Sequence, residues 1–499
     1  MPELILSVDA GTTGVTVFVV NPEARVQGRA YSEFRQYYPK PGWVEHDAVE
    51  IWETTQALLV SALEDAGSKA SDVAAIGITN QRETIVLWDR GTGEPVAPAI
   101  VWQCRRSASI CERLRTSGIE DELRARTGLV LDPYFSATKL LWYFENLPDV
   151  QARAEAGELA FGTVDSWLIW KLTGGERHVT EHSNASRTML YSLEDGTWDP
   201  WILETLGVPE SLLPEVLPSS GRMGTTAEGV LPGARVPVSG AAGDQQSALF
   251  GQACFETGMA KNTYGTGSFV LMNTGAEVHR STHGLLSTAA WDIGEGVRYA
   301  LEGAIFITGA AIQWLRDGLG IISQASETGP LAGSVPDTGG AYLVPAFVGL
   351  GAPHWDPYAR GAFVGITQGT TRAHLVRAAV EAMAYQTRDV VEAMTLDAGT
   401  PLKELRVDGG ASVMDVLCQF QADQLGVVVR RPKDQETTAL GAAYLAGLAE
   451  GVWAAPSEIG AGWAAGAEYE PKMSRDEADS LHDGWKRAVD LSKGWATKD

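Results

Sequence analysis

Twice in this chain an apolar strand runs into a turn of glycine and threonine and leaves as a second strand. Leu4 to Val8 are followed by Asp9-Ala10-Gly11-Thr12-Thr13-Gly14 and then by Val15 to Val20. That order predicts a β-hairpin with an acidic residue at the end of its first strand. Gly258 to Asn273 repeats the arrangement, with Tyr264-Gly265-Thr266-Gly267-Ser268 at the turn. The echo is one of chemistry rather than of letters. At 499 residues the chain is too long for one compact core. Two large domains are therefore expected, with the boundary near residue 250, giving units 1–250 and 251–499.

Helical spacing of apolar residues over Ile51 to Ala66 and a return to strand at Ala74 to Thr79 make the first unit α/β. Asp244 to Phe250 reads as the start of a helix. A third glycine turn, Asp408-Gly409-Gly410-Ala411, follows the apolar Leu405 to Val407. Thr437 to Ala449 is a helix of small residues that can pack closely on a sheet, and the tail after Lys472 alternates charges with apolar residues like a surface helix.

Composition narrows the partners. A formal charge of −24 repels nucleic-acid phosphates and anionic membranes. Apolar runs fall short of the ~20 residues of a membrane helix. Met1-Pro2-Glu3 lacks the basic start of a signal peptide. The four cysteines form no CxxC pair, as suits a reducing compartment. A cytoplasmic protein without a nucleic-acid or membrane partner is expected.

Several chemistries are missing. The chain has no Walker-type phosphate loop, no His-Arg-Asp catalytic loop, no His-Glu-x-x-His helix and no Gly-x-Ser-x-Gly elbow. What remains is phosphate held on glycine hairpins. Gly11 and Gly14 let the backbone approach a ligand, so that amide N–H groups and the Thr12 and Thr13 hydroxyls can bind phosphate oxygens. Asp9 can hold Mg²⁺, usually through water. A second threonine-glycine turn at Gly265-Thr266-Gly267 can grip a polyphosphate from the other side.

Arg82 and Glu83, in Asn80-Gln81-Arg82-Glu83-Thr84, follow a strand. On a surface they would be a solvated ion pair of little worth. In a cleft, Arg82 donates and Glu83 accepts, so the pair suits two neighbouring hydroxyls. Trp102 and Phe269 can cover the hydrocarbon face of such a substrate or simply fill the core. Asp244, in Gly243-Asp244-Gln245-Gln246, is open to two readings: a helix N-cap, or the base that takes a proton from an attacking hydroxyl.

Taken together, these segments resemble the FGGY carbohydrate kinase family from about residue 4 to about residue 450. The resemblance also rests on Val101-Trp102-Gln103-Cys104-Arg105-Arg106, Asp132-Pro133-Tyr134-Phe135-Ser136, Phe161-Gly162-Thr163-Val164-Asp165 and Glu436-Thr437-Thr438-Ala439-Leu440-Gly441. It implies two actin-like, ribonuclease-H-like ATPase domains around a central cleft. It also implies ATP- and Mg²⁺-dependent phosphorylation of glycerol to sn-glycerol 3-phosphate in glycerol catabolism. By the same resemblance Arg82, Glu83, Trp102, Tyr134, Asp244, Gln245 and Phe269 are acceptor positions, with Asp244 the catalytic base. Thr12, Thr13, Thr266, Gly309, Gln313 and Gly410 are nucleotide positions. Family members are often homodimers or homotetramers, and the same assembly is the expectation here.

The chain departs from the family at three points. Met414 stands where many members place an asparagine near the adenine, so the base contact at this nucleotide position is left open. The stretch Leu231-Pro232-Gly233-Ala234-Arg235 keeps Gly233 and Arg235 of a loop that binds fructose 1,6-bisphosphate in some relatives but loses its other glycines, which leaves that inhibition open. Val230 replaces a histidine that is phosphorylated in others, so activation by that route is not expected. Two rival readings remain at this point: a kinase of the same family for another polyol or ketose, and an actin-like or chaperone-like ATPase, which would have no use for Arg82, Glu83 and Trp102.

Overall fold

The structure, a computed structural model, describes residues 2–496. Both expected hairpins form. Leu4–Ala10 pairs antiparallel with Gly14–Val20, and Met259–Tyr264 with Ser268–Gly275. Each turn closes through a glycine amide: Gly11 N–H donates to Gly14 O at 3.0 Å and Gly265 N–H to Gly267 O at 2.8 Å.

Each hairpin is the centre of a mixed sheet. The first runs Val26–Glu33, Gly14–Val20, Leu4–Ala10, Val73–Asn80, Pro237–Gly243, Ser220–Thr225. The second runs Leu286–Trp291, Arg298–Ile305, Ser268–Gly275, Met259–Tyr264, Glu404–Asp408, Val429–Pro432, Ala465–Tyr469. Apart from the extra edge strand Leu286–Trp291, order and direction agree strand for strand. Three antiparallel strands are followed by two parallel ones and a closing antiparallel one. The molecule carries one α/β plan twice, the fold class that the resemblance implied. The central strands are covered on both faces, which is why they read as nearly unbroken apolar runs.

The small-residue helix forms over Thr437–Ala449 and packs on the first sheet, although it lies far along the chain. The approach is so close that a Cβ at Gly77 would sit 2.1 Å from Ala442 O. The same helix lies against Asp244–Gly251, where a Cβ at Gly441 would meet Ser247 O at 1.9 Å. Ser7 Oγ donates to Ala439 O at 2.6 Å. The helix expected over Ile51 to Ala66 spans Ala48–Asp65, starting earlier because Asp47 caps it by accepting from Val49 N–H at 2.9 Å. The tail helix is Arg475–Ser492. It is more than a surface helix: Trp485, Ala488 and Val489 are buried in the second core, and only its opposite face carries the charges. All four cysteines are buried and unpaired.

Candidate active site

Three parallel neighbours of the first sheet end at one edge. Ala10 lies beside Asn80, and Asn80 beside Gly243. Their C-terminal ends therefore deliver Asp9, the pair Arg82 and Glu83, and Asp244 to one place, where open α/β sheets bind ligands. The second sheet does the same with Thr263 beside Asp408, which presents Gly265-Thr266 and Gly409-Gly410.

Arg82 and Glu83 sit in a three-residue turn closed by Thr84 N–H to Arg82 O at 2.7 Å, and Glu83 has φ +61°. A left-handed backbone at a non-glycine residue is strain, and here it lies in the site. The two side chains are not primarily partners of each other. Arg82 Nε is 4.0 Å from Glu83 Oε1 but 3.2 Å from Asp244 Oδ1. Arg82 also donates through Nη1 to Gln246 Oε1 at 3.2 Å, and through Nη1 and Nη2 to Glu302. Glu83 accepts from Arg187 Nε at 2.6 Å, and Arg187 Nη2 donates to Glu302 at 2.9 Å.

The result is a buried ring of two arginines and two glutamates in which Glu302 comes from the second sheet. Burial alone would raise the Glu302 carboxyl, but Arg187 and Arg82 pull it down to about 2. Glu83 is raised by burial, an effect that Arg187 and Arg82 only partly offset.

Asp244 is the open member of this cluster. Its side chain is 31% exposed, against 2% for Arg82 and 0% for Glu302. The residue in the N-cap position is Gly243, so the cap reading does not hold: Asp244 occupies the first helical position, and the one backbone N–H its Oδ1 accepts is that of the adjacent Gln245, at 2.7 Å. A Cβ at Gly243 would come within 2.7 Å of Arg82 Cδ, so glycine there lets the arginine reach the carboxylate.

Around the carboxylate, Phe269 lies 5.6 Å from the Arg82 guanidinium. Trp102 and Tyr134 meet edge to face at 5.6 Å, and Tyr134 lies under Arg187 at 5.8 Å. Burial raises the Tyr134 hydroxyl, which stays neutral. Gln245 is 9% exposed and receives a hydrogen bond from Lys261. Trp102 Nε1 donates to Thr12 Oγ1 at 3.0 Å and so joins this pocket to the first hairpin.

Of the positions expected to contact nucleotide, Thr13 and Thr266 are exposed at the two hairpin tips. Gly309 N–H donates to Gly265 O and Ala310 N–H to Thr266 O, both at 3.0 Å. A Cβ at Gly309 would strike Gly265 O at 2.5 Å, so only glycine allows this contact. Gln313 ends the short helix Gly309–Gln313 and is exposed. At Gly410 the space for a side chain is open, whereas a Cβ at Gly409 would meet Tyr264 O at 2.4 Å. Met414 precedes the helix Asp415–Leu425 and lies near Gly329. In the stretch Leu231 to Arg235, Gly233 has φ +81° and Arg235 donates to Thr226 O at 2.8 Å.

Asp9 is partly exposed at the edge of the first hairpin. Burial, followed by the Asp244 and Glu436 carboxylates, pushes it up to about 7. No group of three or more His, Cys, Asp or Glu among the described residues could hold a metal alone. A carboxylate with other carboxylates near it and no cationic partner among the described residues fits Mg²⁺ that arrives with phosphates, which needs one or two carboxylates and keeps its waters.

Comparison with known proteins places this geometry. A model of the FGGY family of carbohydrate kinases, N-terminal domain, matches residues 4–251, and one of its C-terminal domain matches residues 260–450. The chain belongs to the FGGY family of carbohydrate kinases. Glycerol kinase 2 of Thermotoga maritima is 57% identical over 98% of this chain and 99% of its own length. Glycerol kinase of Carboxydothermus hydrogenoformans is 55% identical over 99% of each. The crystal structure of Plasmodium falciparum glycerol kinase with ADP superposes with a TM-score of 0.94 at 34% identity, covering 98% of both chains.

Sequence reasoning did not single out Arg187, Gln246, Lys261 or Glu302. Glu302 and Lys261 did leave a signal. Each is a charge set directly after apolar residues within a strand, Tyr299-Ala300-Leu301-Glu302 and Met259-Ala260-Lys261, and a charge so placed must be compensated when that run is buried. Nothing in the pattern pointed to Arg187 or Gln246. No helix among the described residues is long and apolar enough to cross a membrane.

Proposed function

We propose that this protein transfers the γ-phosphoryl group of ATP to a terminal hydroxyl of glycerol, yielding ADP and sn-glycerol 3-phosphate. The observation that carries the reading is Asp244. It is a carboxylate anchored on one side by Arg82 at 3.2 Å and still 31% exposed, at the strand ends that also carry the first glycine-threonine hairpin. A base for a hydroxyl must be held in place and yet reachable, and this one is both. The relatives named glycerol kinase, 55–57% identical over nearly the whole chain, favour glycerol as the acceptor.

In this reading Asp244 takes the proton of the attacking hydroxyl. Glu83 accepts from a neighbouring hydroxyl, while Arg82 and Gln245 donate. Three of the five Arg82 N–H groups donate to Gln246 and Glu302 and Nε faces Asp244 as an ion pair, which leaves one Nη2 N–H for the substrate. Trp102, Tyr134 and Phe269 cover the carbon chain. Thr12, Thr13 and Thr266, with the backbone at Gly309 and Gly410, hold phosphate oxygens, and Gln313 and Met414 face the nucleoside. Asp9 is the residue that would hold Mg²⁺, through water, and the ion when bound offsets charge on the phosphoryl oxygens. Phosphoryl transfer asks chiefly for position and charge compensation, which these residues supply.

The test is phosphorus NMR of product formed from ATP, Mg²⁺ and glycerol, run beside dihydroxyacetone, xylulose and gluconate. Glycerol should have the highest kcat/KM. Asp244→Asn should lower kcat roughly 100-fold or more while glycerol KM stays within a few-fold. Absence of glycerol 3-phosphate, or a ketose preferred over glycerol, would overturn the assignment.

A further inference from the structure

Lys261 is fully buried in the strand Met259–Tyr264, yet it forms no ion pair among the described residues. Lysine is almost never fully buried without a compensating group. Here the compensation is polar. Nζ donates to Gln245 Oε1 across the border between the two sheets and to Thr263 Oγ1 at 3.0 Å. Burial lowers Lys261 to about 8, with Asp408 and Asp244 holding it up, so the ammonium form prevails at neutral pH.

An ammonium carries donors only. Whichever amide atom of Gln245 faces it must be the oxygen. The reverse orientation would set an NH₂ group against NH₃⁺, two donors with no acceptor between them and a buried amide oxygen left elsewhere. Gln245 follows Asp244 directly, so the direction of its amide decides whether the pocket offers a donor or an acceptor beside the base.

We infer that Lys261 is a positioning residue for acceptor recognition, fixing the Gln245 amide so that its NH₂ group, not its oxygen, meets a substrate hydroxyl. The inference rests on the assignment of Gln245 to the acceptor pocket. It gives the pocket a defined polarity. Asp244 and Glu83 accept protons of hydroxyls, and Gln245 with the remaining Arg82 N–H donates to their oxygens. A hydroxyl that gives its proton to Asp244 can then be held by a donor on its lone pair. A three-carbon alcohol lacking that hydroxyl leaves the donor unpaired and binds less well.

The experiment is a double-mutant cycle on steady-state glycerol kinetics with Lys261→Met, Gln245→Ala and the double variant. Each single variant should raise glycerol KM roughly tenfold, with ATP KM within twofold. The double variant should be no worse than Gln245→Ala, because Lys261 acts through that side chain. Effects that multiply, or an ATP KM that rises in step with that of glycerol, would overturn the inference.

Should Lys261→Met fail to fold, Gln245→Glu decides. That variant keeps the shape and the partner of Lys261 but removes the N–H donor, so glycerol KM must rise while Tm holds. An unchanged KM would refute the donor role. Failure of the parent reading looks different: the unsubstituted protein would make no glycerol 3-phosphate, and the same cycle would then be run on the acceptor it does phosphorylate.

Discussion

Glu302 is fully buried and accepts from both arginines of the site, which makes Glu302→Gln the most informative single change. Arg187 and Arg82 hold its carboxyl at about 2 against the ordinary value of 4.5. A gap of about 2.5 pH units corresponds to roughly 3 kcal/mol in favour of the folded state. Because the folded value is the depressed one, this stability is fully present above 4.5 and is lost as pH falls towards 2. Breaking a buried ion pair from one side costs about 3–5 kcal/mol by a separate line of reasoning, since two guanidinium groups then share a neutral partner.

At 2–4 °C per kcal/mol for domains of this size, Tm should fall by roughly 6–12 °C at pH 7. The deficit should narrow as pH is lowered from 4.5 towards 3. Differential scanning calorimetry of both proteins across this range measures it. Glycerol KM should rise as well, because Arg82 loses the group that fixes it beside Asp244. A loss of less than about 2 °C at pH 7, or a deficit independent of pH, would refute the electrostatic reasoning.

Other substitutions probe separate parts of the site. Arg82→Ala should raise glycerol KM far more than ATP KM, and an equal rise in both would remove it from the acceptor pocket. Asp9→Asn should raise Tm more at pH 8 than at pH 5 while lowering turnover: its carboxyl is pushed up from 3.8 to about 7, so its burden on the fold grows as pH rises from 3.8 and is complete above 7. Equal Tm at pH 8 would show that Asp9 is not under that burden. Gly441→Ala places a methyl 1.9 Å from Ser247 O and should cost about 1–3 kcal/mol or more by chemical denaturation, with lower kcat because the helix that opens with Asp244 must shift. Unaltered kcat would mean that the two helices can part without moving the carboxylate.

The hairpins were legible because a strand-turn-strand unit is local. Leu4 to Val20 carries its own apolar runs and its own glycines, and the fold uses them as read. Asp244 was legible as a candidate, but setting the cap reading aside needed the backbone, since one residue of offset moves the carboxylate from the N-cap to the first turn. Arg82 and Glu83 read as a pair because they are adjacent in sequence. In space a turn with a left-handed Glu83 sends them to different partners, each 100 or more residues away.

By itself, the sequence determined the repeated α/β plan, the acidic and glycine-rich strand ends, and the class of chemistry they serve. These depend on short-range periodicity and on backbone freedom at a few glycines. Only the tertiary structure decided which charges compensate one another: Glu302 across two arginines, Lys261 on Gln245, and a helix from the second half wedged against the first sheet. Such contacts are set by how sheets pack and strands register over hundreds of residues, and no window along the chain contains that information.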